Sequence, residues 1–138
     1  MPTRPSKLTL EAFRWARQEL AKTPGFCDLD GFCIDASVMM HKYLRDHGVR
    51  ARLVRYELPT GEGGHWTIET SEGEFDPTVG CWKLRGAGEE SRPRGARCDA
   101  LYPVTESSPH RRRWRRTRVV ERTAYETVFG TQHRWFHD

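Results

Sequence analysis

Long apolar runs are missing from this chain of 138 residues, and that excludes a transmembrane helix, which demands about 20 consecutive apolar residues. No apolar stretch follows the opening segment from Met1 to Lys7, so neither a secretory signal nor a membrane partner is expected. Cysteine is scarce. Four residues are too few for a disulfide scaffold at this length, so free thiols in a reducing cytoplasm are the expectation, with non-classical export left open. Hydrophobic residues make up 36% and charged residues 30%, with a mean hydropathy of -0.79. Even so, a chain of this size buries roughly two-thirds of its unfolded surface, enough for one core without staples. One domain spanning residues 1–138 is expected, with no internal repeat.

Lysine is also scarce beside arginine, and the basic residues are unevenly placed. Residues 1–91 hold 12 basic against 14 acidic side chains, a net of −2, whereas residues 92–138 hold 11 against 5, a net of +6. The overall charge of +4 therefore belongs to the last third, above all to the run from Arg111 to Arg116 around Trp114.

A first helix begins near Thr9, its N-cap, and carries Leu10, Phe13, Ala16, Arg17 and Leu20 at helical spacing until Pro24-Gly25 ends it. A second is predicted from about Gly31 to His47, with Asp30 as N-cap and Gly48 just past its end. Cys33, Ala36, Ser37, Met40 and Leu44 line one of its faces. The period then changes from helical to two. Strands are predicted from Val49 to Glu57, from His65 to Thr70 and from Glu74 to Asp76, the last pair joined through Ser71-Glu72-Gly73. Residues 80–98 read as a long loop. Thr117 to Phe129 is rich in Thr and Val and favours a strand, although a helix through Val120, Ala124 and Val128 fits as well.

Three residues on these elements have chemistry in common. Counting from Asp30, Cys33 falls in the first helical turn, where unpaired N–H groups and the helix dipole favour a thiolate and can serve an oxyanion. His65 opens a strand and is the candidate base. Gly64 before it leaves room for a substrate backbone, and Trp66 after it supplies bulk to exclude water. Asp76, closing the next strand and held extended by Pro77, is the candidate orienter of the imidazole. A turn centred between Thr70 and Ser71 pairs His65 with Asp76 directly; one centred on Glu72-Gly73 slips them four residues apart.

Gly31-Phe32-Cys33, Gly48-Val49-Arg50-Ala51-Arg52, Gly64-His65-Trp66 and Phe75-Asp76-Pro77-Thr78 resemble the transglutaminase-like branch of the papain-like superfamily, over about residues 26–80. The resemblance implies an α+β fold with the nucleophile's helix packed on an antiparallel sheet. It also implies a Cys33-His65-Asp76 triad, a thioester intermediate at an amide carbonyl and a peptide or protein substrate. Members include peptidases, deamidases, transglutaminases and peptide N-glycanases; arylamine N-acetyltransferases share the triad and the Gly-Phe-Cys helix start. Two departures stand out. Trp66 follows His65 directly where the family usually has a residue between, and no upstream Gln or Trp completes an oxyanion hole. The chemistry requires no cofactor, and with so short a chain hydrolysis is favoured over transfer to an amine.

Other readings compete. A cysteine on an apolar helix face is ordinarily a small buried hydrophobe, and Cys27, six residues upstream, is a rival thiol. The spacings Cys27 to Cys33 and Cys81 to Cys98 do not match a structural zinc site, and His133 and His137 lack the glutamate of a metalloprotease helix. No metal is expected. His41 and His47 are expected to be partly solvated. The Arg111–Arg116 cluster suits a nucleic acid or an acidic protein, which would make the chain a non-catalytic binding module. It equally suits an edge strand protected by charge.

Overall fold

A computed structural model of the chain describes residues 4–27, 29, 31–57, 64–81, 97–105, 108 and 114–130. Helix α1 spans Lys7–Leu20. Its N-cap is Ser6, whose Oγ accepts from the Thr9 N–H at 3.1 Å, so Thr9 is not the cap but the residue that the cap holds. Ala12, Phe13, Ala16 and Leu20 form the buried stripe.

Helix α2 runs Cys33–Asp46 and starts two residues later than its sequence pattern suggests. Phe32 occupies the N-cap position, so Cys33 is the first helical residue rather than the third; Asp30 lies outside the described residues. Gly48 closes the helix at φ +76, a conformation that suits glycine, and the Val49 N–H returns to the Leu44 carbonyl at 2.8 Å.

Among the described residues five antiparallel strands follow: β1 (Ala51–Glu57), β2 (Gly64–Thr70), β3 (Gly73–Asp76), β4 (Tyr102–Pro103) and β5 (Arg115–Thr117), ordered β4-β3-β2-β1-β5. The fold is thus α+β. Alternation along the strands divides the side chains between two faces. Ile68 and Phe75 join the helical core with Phe13, Met40 and Leu44, while Val54, Tyr56 and Trp114 form a smaller cluster.

The β2–β3 register differs from both expected alternatives. Thr70 pairs with Gly73 and Ile68 with Phe75, which centres the turn between Ser71 and Glu72. The Thr70 hydroxyl fixes this turn by accepting from the Glu72 N–H at 3.1 Å. Continued outward, this register sets Asp76 opposite Thr67, two residues from His65 and on the same face. Diagonal neighbours of that kind remain within reach of long side chains.

Two further expectations are corrected. Residues Glu121–Phe129 form a helix, α3, rather than a strand. Burial of Ala124 and Tyr125 against Val38 and Leu53 outweighs the β propensity of Thr and Val, and the Thr127 hydroxyl bonds back to the Thr123 carbonyl at 3.0 Å. The cysteines are not all reduced, because Cys81 and Cys98 form a disulfide with Cα atoms 4.3 Å apart. Closing a loop of this size stabilises by roughly 3 kcal/mol in the chain-entropy picture, and the inference from the cysteines to a reducing compartment no longer holds. No helix among the described residues is long and apolar enough to cross a membrane.

Candidate active site

The site is assembled from the start of α2, the start of β2 and the end of β3. Asp76 is the last residue of β3 and is 1% exposed. Pro77, without an N–H, leaves Thr78 and Val79 as the next backbone donors, and both bond Asp76 Oδ1 at 3.0 Å. That arrangement turns the chain into a short 3-10 segment, Val79–Cys81, and fixes the carboxylate plane. The other oxygen, Oδ2, meets His65 Nε2 at 2.5 Å.

His65 is buried, and Cys33 lies close enough to act on its charge. Burial is the largest influence on His65 and opposes its charge. The Asp76 carboxylate, by charge and hydrogen bond, and then Cys33 outweigh it and raise the pKa from 6.5 to about 10. Cys33 itself is half-buried at the first position of α2, where backbone N–H groups have no intrahelical acceptor.

The structure thus brings Cys33, His65 and Asp76 together. It places Gly64 and Trp66 differently from the roles suggested for them. A Cβ on Gly64 would stand 2.8 Å from the Tyr56 carbonyl oxygen and 2.9 Å from the Arg55 guanidinium, so this chain's own β1 fills the space. Strand alternation turns Trp66 away from the face of His65, and it packs against the Val38 and Leu53 cluster. The ring beside His65 is Trp114, 8% exposed and edge-on at 6.2 Å between centroids.

Sequence reasoning missed that wall because Trp114 sits inside the arginine run. Its one signal was being the single large apolar residue there. Also missed was a buried polar group on the same face. Glu74 Oε2 accepts from the Tyr56 hydroxyl at 2.6 Å and from the Thr67 hydroxyl at 2.7 Å. Tyr56 pairs directly with His65 across β1 and β2, so this network braces the strand that carries the imidazole.

Cys27 is exposed, with its sulfur 3.7 Å from the Gly25 carbonyl. His41 is buried rather than partly solvated. It bonds the Tyr125 hydroxyl and contacts the Ala51 carbonyl at 3.1 Å, and burial lowers its pKa. Arg115 and Arg116 lie on the edge strand β5 and pair with Glu57 at 2.7 Å and Glu69 at 3.4 Å. Their charge is spent largely within the chain. Arg111–Arg113, His133 and His137 lie outside the described residues.

Because folding raises the His65 pKa, its contribution to stability is fully present below pH 6.5 and is lost as pH rises through about 10. The difference in unfolding free energy between the wild type and His65→Gln is therefore expected to shrink from pH 6.5 to 10. Titration of His41, opposite in sign, cancels in that difference. Urea unfolding across this range is the check, and a difference that stays constant would contradict the pairing. Set against protein-family models, curated proteins and solved structures, the chain matches none.

Proposed function

We propose that this protein is a cysteine-dependent enzyme acting at an amide carbonyl of a peptide or protein, as a papain-like, transglutaminase-like hydrolase or acyl transferase. One observation carries the reading: Asp76, His65 and Cys33 come together from three separate elements, the carboxylate hydrogen-bonded to the imidazole and Cys33 close enough to act on the charge of the ring. Any one of these residues alone has a bland explanation. A buried imidazole kept charged between a fixed carboxylate and a thiol at a helix start is the arrangement a nucleophilic sulfur needs.

The Cys33 sulfur, as thiolate, attacks the carbonyl carbon. Backbone N–H groups in the first turn of α2 face the developing oxyanion. Collapse of the tetrahedral intermediate breaks the C–N bond while His65 gives its proton to the departing nitrogen, leaving a thioester on Cys33. His65, now neutral, takes a proton from the acceptor, which attacks the thioester and releases Cys33. Water as acceptor completes hydrolysis; an amine completes transfer. Asp76 holds the ring and its tautomer throughout, and no cofactor takes part. The competing idea of a binding module on the Arg-rich segment is weakened by the internal pairing of Arg115 and Arg116.

The reading is tested by alkylation with iodoacetamide at pH 7, followed by peptide mapping. Cys33 is expected to react faster than Cys27 although Cys27 is the more exposed. Equal labelling of the two, or preference for Cys27, would contradict it.

A further inference from the structure

A second concave site lies at the opposite end of α2. It is a groove of about 640 Å³ bounded by the end of α2, the start of β1, the end of β2 and the start of α3. With 1.5 Å of rise per residue, the length of α2 separates it from Cys33 by about 20 Å, so it is not an extension of the triad cleft. Its volume falls within the range of small-molecule sites.

The charges around it do not balance. Arg45, Arg50 and Arg52 line the groove against Glu69 and Glu121. Glu69 is shared, since Arg52 approaches it at 3.4 Å and so does Arg116 from β5. Glu121 turns towards His41 at 3.6 Å. His41 forms the floor, and burial disfavours its charged form, so it adds little positive charge. Arg45 stacks over the Tyr125 ring, 6.0 Å from its centroid, and stands 3.8 Å from Asp46.

Arg50 differs from these. It is exposed, and among the described residues it makes no hydrogen bond or ion pair. The negative end of α2 offsets this charge only in part, because the Gly48 and Val49 N–H groups cap the carbonyls of Arg45 and Leu44 at 3.0 and 2.8 Å. Val49, Ala51 and the arginine stems give the remaining wall an apolar character.

We propose that this groove binds a small amphiphilic anion, with its carboxylate or phosphate head on the Arg50 guanidinium and its apolar body along Val49 and Ala51. Both heads present the paired oxygens that a guanidinium fork takes up. The site is independent of the chemistry at Cys33 and stands or falls separately from it.

The test is a titration of ¹⁵N-labelled protein with hexanoate, hexyl phosphate and hexanol, followed by amide shifts around the groove. Saturable shifts with at least one anion, much weaker ones with hexanol, and a loss of affinity of about tenfold or more in Arg50→Ala are expected. Arg118→Ala, an exposed arginine outside the groove, should bind as the wild type does. The tighter of the two anions identifies the head group. Absence of saturation with both, unchanged affinity in Arg50→Ala, or an equal loss in Arg118→Ala would overturn the proposal.

Discussion

Changing His65 to alanine is expected to slow alkylation of Cys33 at pH 7 by about tenfold or more, and to slow turnover by about 10²–10⁴-fold. The two magnitudes have different origins. Removing the imidazolium takes away the cation beside the sulfur, on which the proposed ion pair depends. A thiolate paired with a cation is also a weaker nucleophile than a free one, which limits the gain seen with a simple alkylating agent. Turnover should lose more, because in the proposed mechanism His65 also gives a proton to the departing nitrogen and takes one from the acceptor. His65 is enclosed and bonded to Asp76, so its removal leaves a buried carboxylate without its cation. His65→Gln, which keeps a hydrogen-bond donor there, separates lost chemistry from lost folding. It should retain a native near-ultraviolet spectrum and be equally slow towards iodoacetamide. Alkylation at the wild-type rate in either variant would mean that His65 does not act on the sulfur.

Asp76→Asn is expected to have an effect of similar size, on the order of 10³–10⁴ in turnover, from a change of one atom. The carboxylate does two jobs with two oxygens: Oδ1 accepts the Thr78 and Val79 N–H groups and Oδ2 faces His65 Nε2. An asparagine has one oxygen. If it keeps the backbone bonds, its NH₂ confronts Nε2, which must then be an unprotonated acceptor, and the proton moves to Nδ1. If it turns the other way, the NH₂ meets two backbone donors and the turn into Val79–Cys81 is lost. Either outcome removes the charge that holds the imidazolium. Imidazole ¹⁵N shifts of His65 distinguish these states. In the wild type both nitrogens should stay protonated at pH 7, whereas in Asp76→Asn the ring should be neutral. Unchanged shifts in the variant would show that Asp76 does not govern the ring.

Much of this site could be read from the sequence because its elements announce themselves locally. The change of period between Leu44 and Leu53, with Gly48 between them, marks the end of α2 and the start of β1. His65 and Asp76 fall at strand ends defined by glycines and Pro77. The register was not legible at the same level, because a side-chain bond from Thr70 to the Glu72 backbone places the turn half-way between two plausible centres. The contact between His65 and Asp76 survives because a two-residue offset preserves the face.

Other features depend on distant partners. Strands β4 and β5, of two and three residues, are too short to carry a period. Helix α3 exists because Tyr125 finds His41 and the Val38 cluster, and the pairing of Cys81 with Cys98 joins residues 17 positions apart with no spacing pattern to announce it. Trp114 was hidden by its neighbours. The charged run suggests phosphate binding, while the ring within it packs against His65 and Arg115 and Arg116 return to Glu57 and Glu69.

The central claim is that Cys33 forms a thioester with an amide substrate, and intact-mass spectrometry after rapid acid quench tests it most directly. Incubation with a library of peptides, including glutamine-containing ones, should yield a mass increase equal to an acyl group. That increase should map to Cys33, disappear with hydroxylamine and be absent from Cys33→Ser. A folded wild-type protein that gains no acyl mass from any member of the library, or gains it equally in Cys33→Ser, would contradict the account.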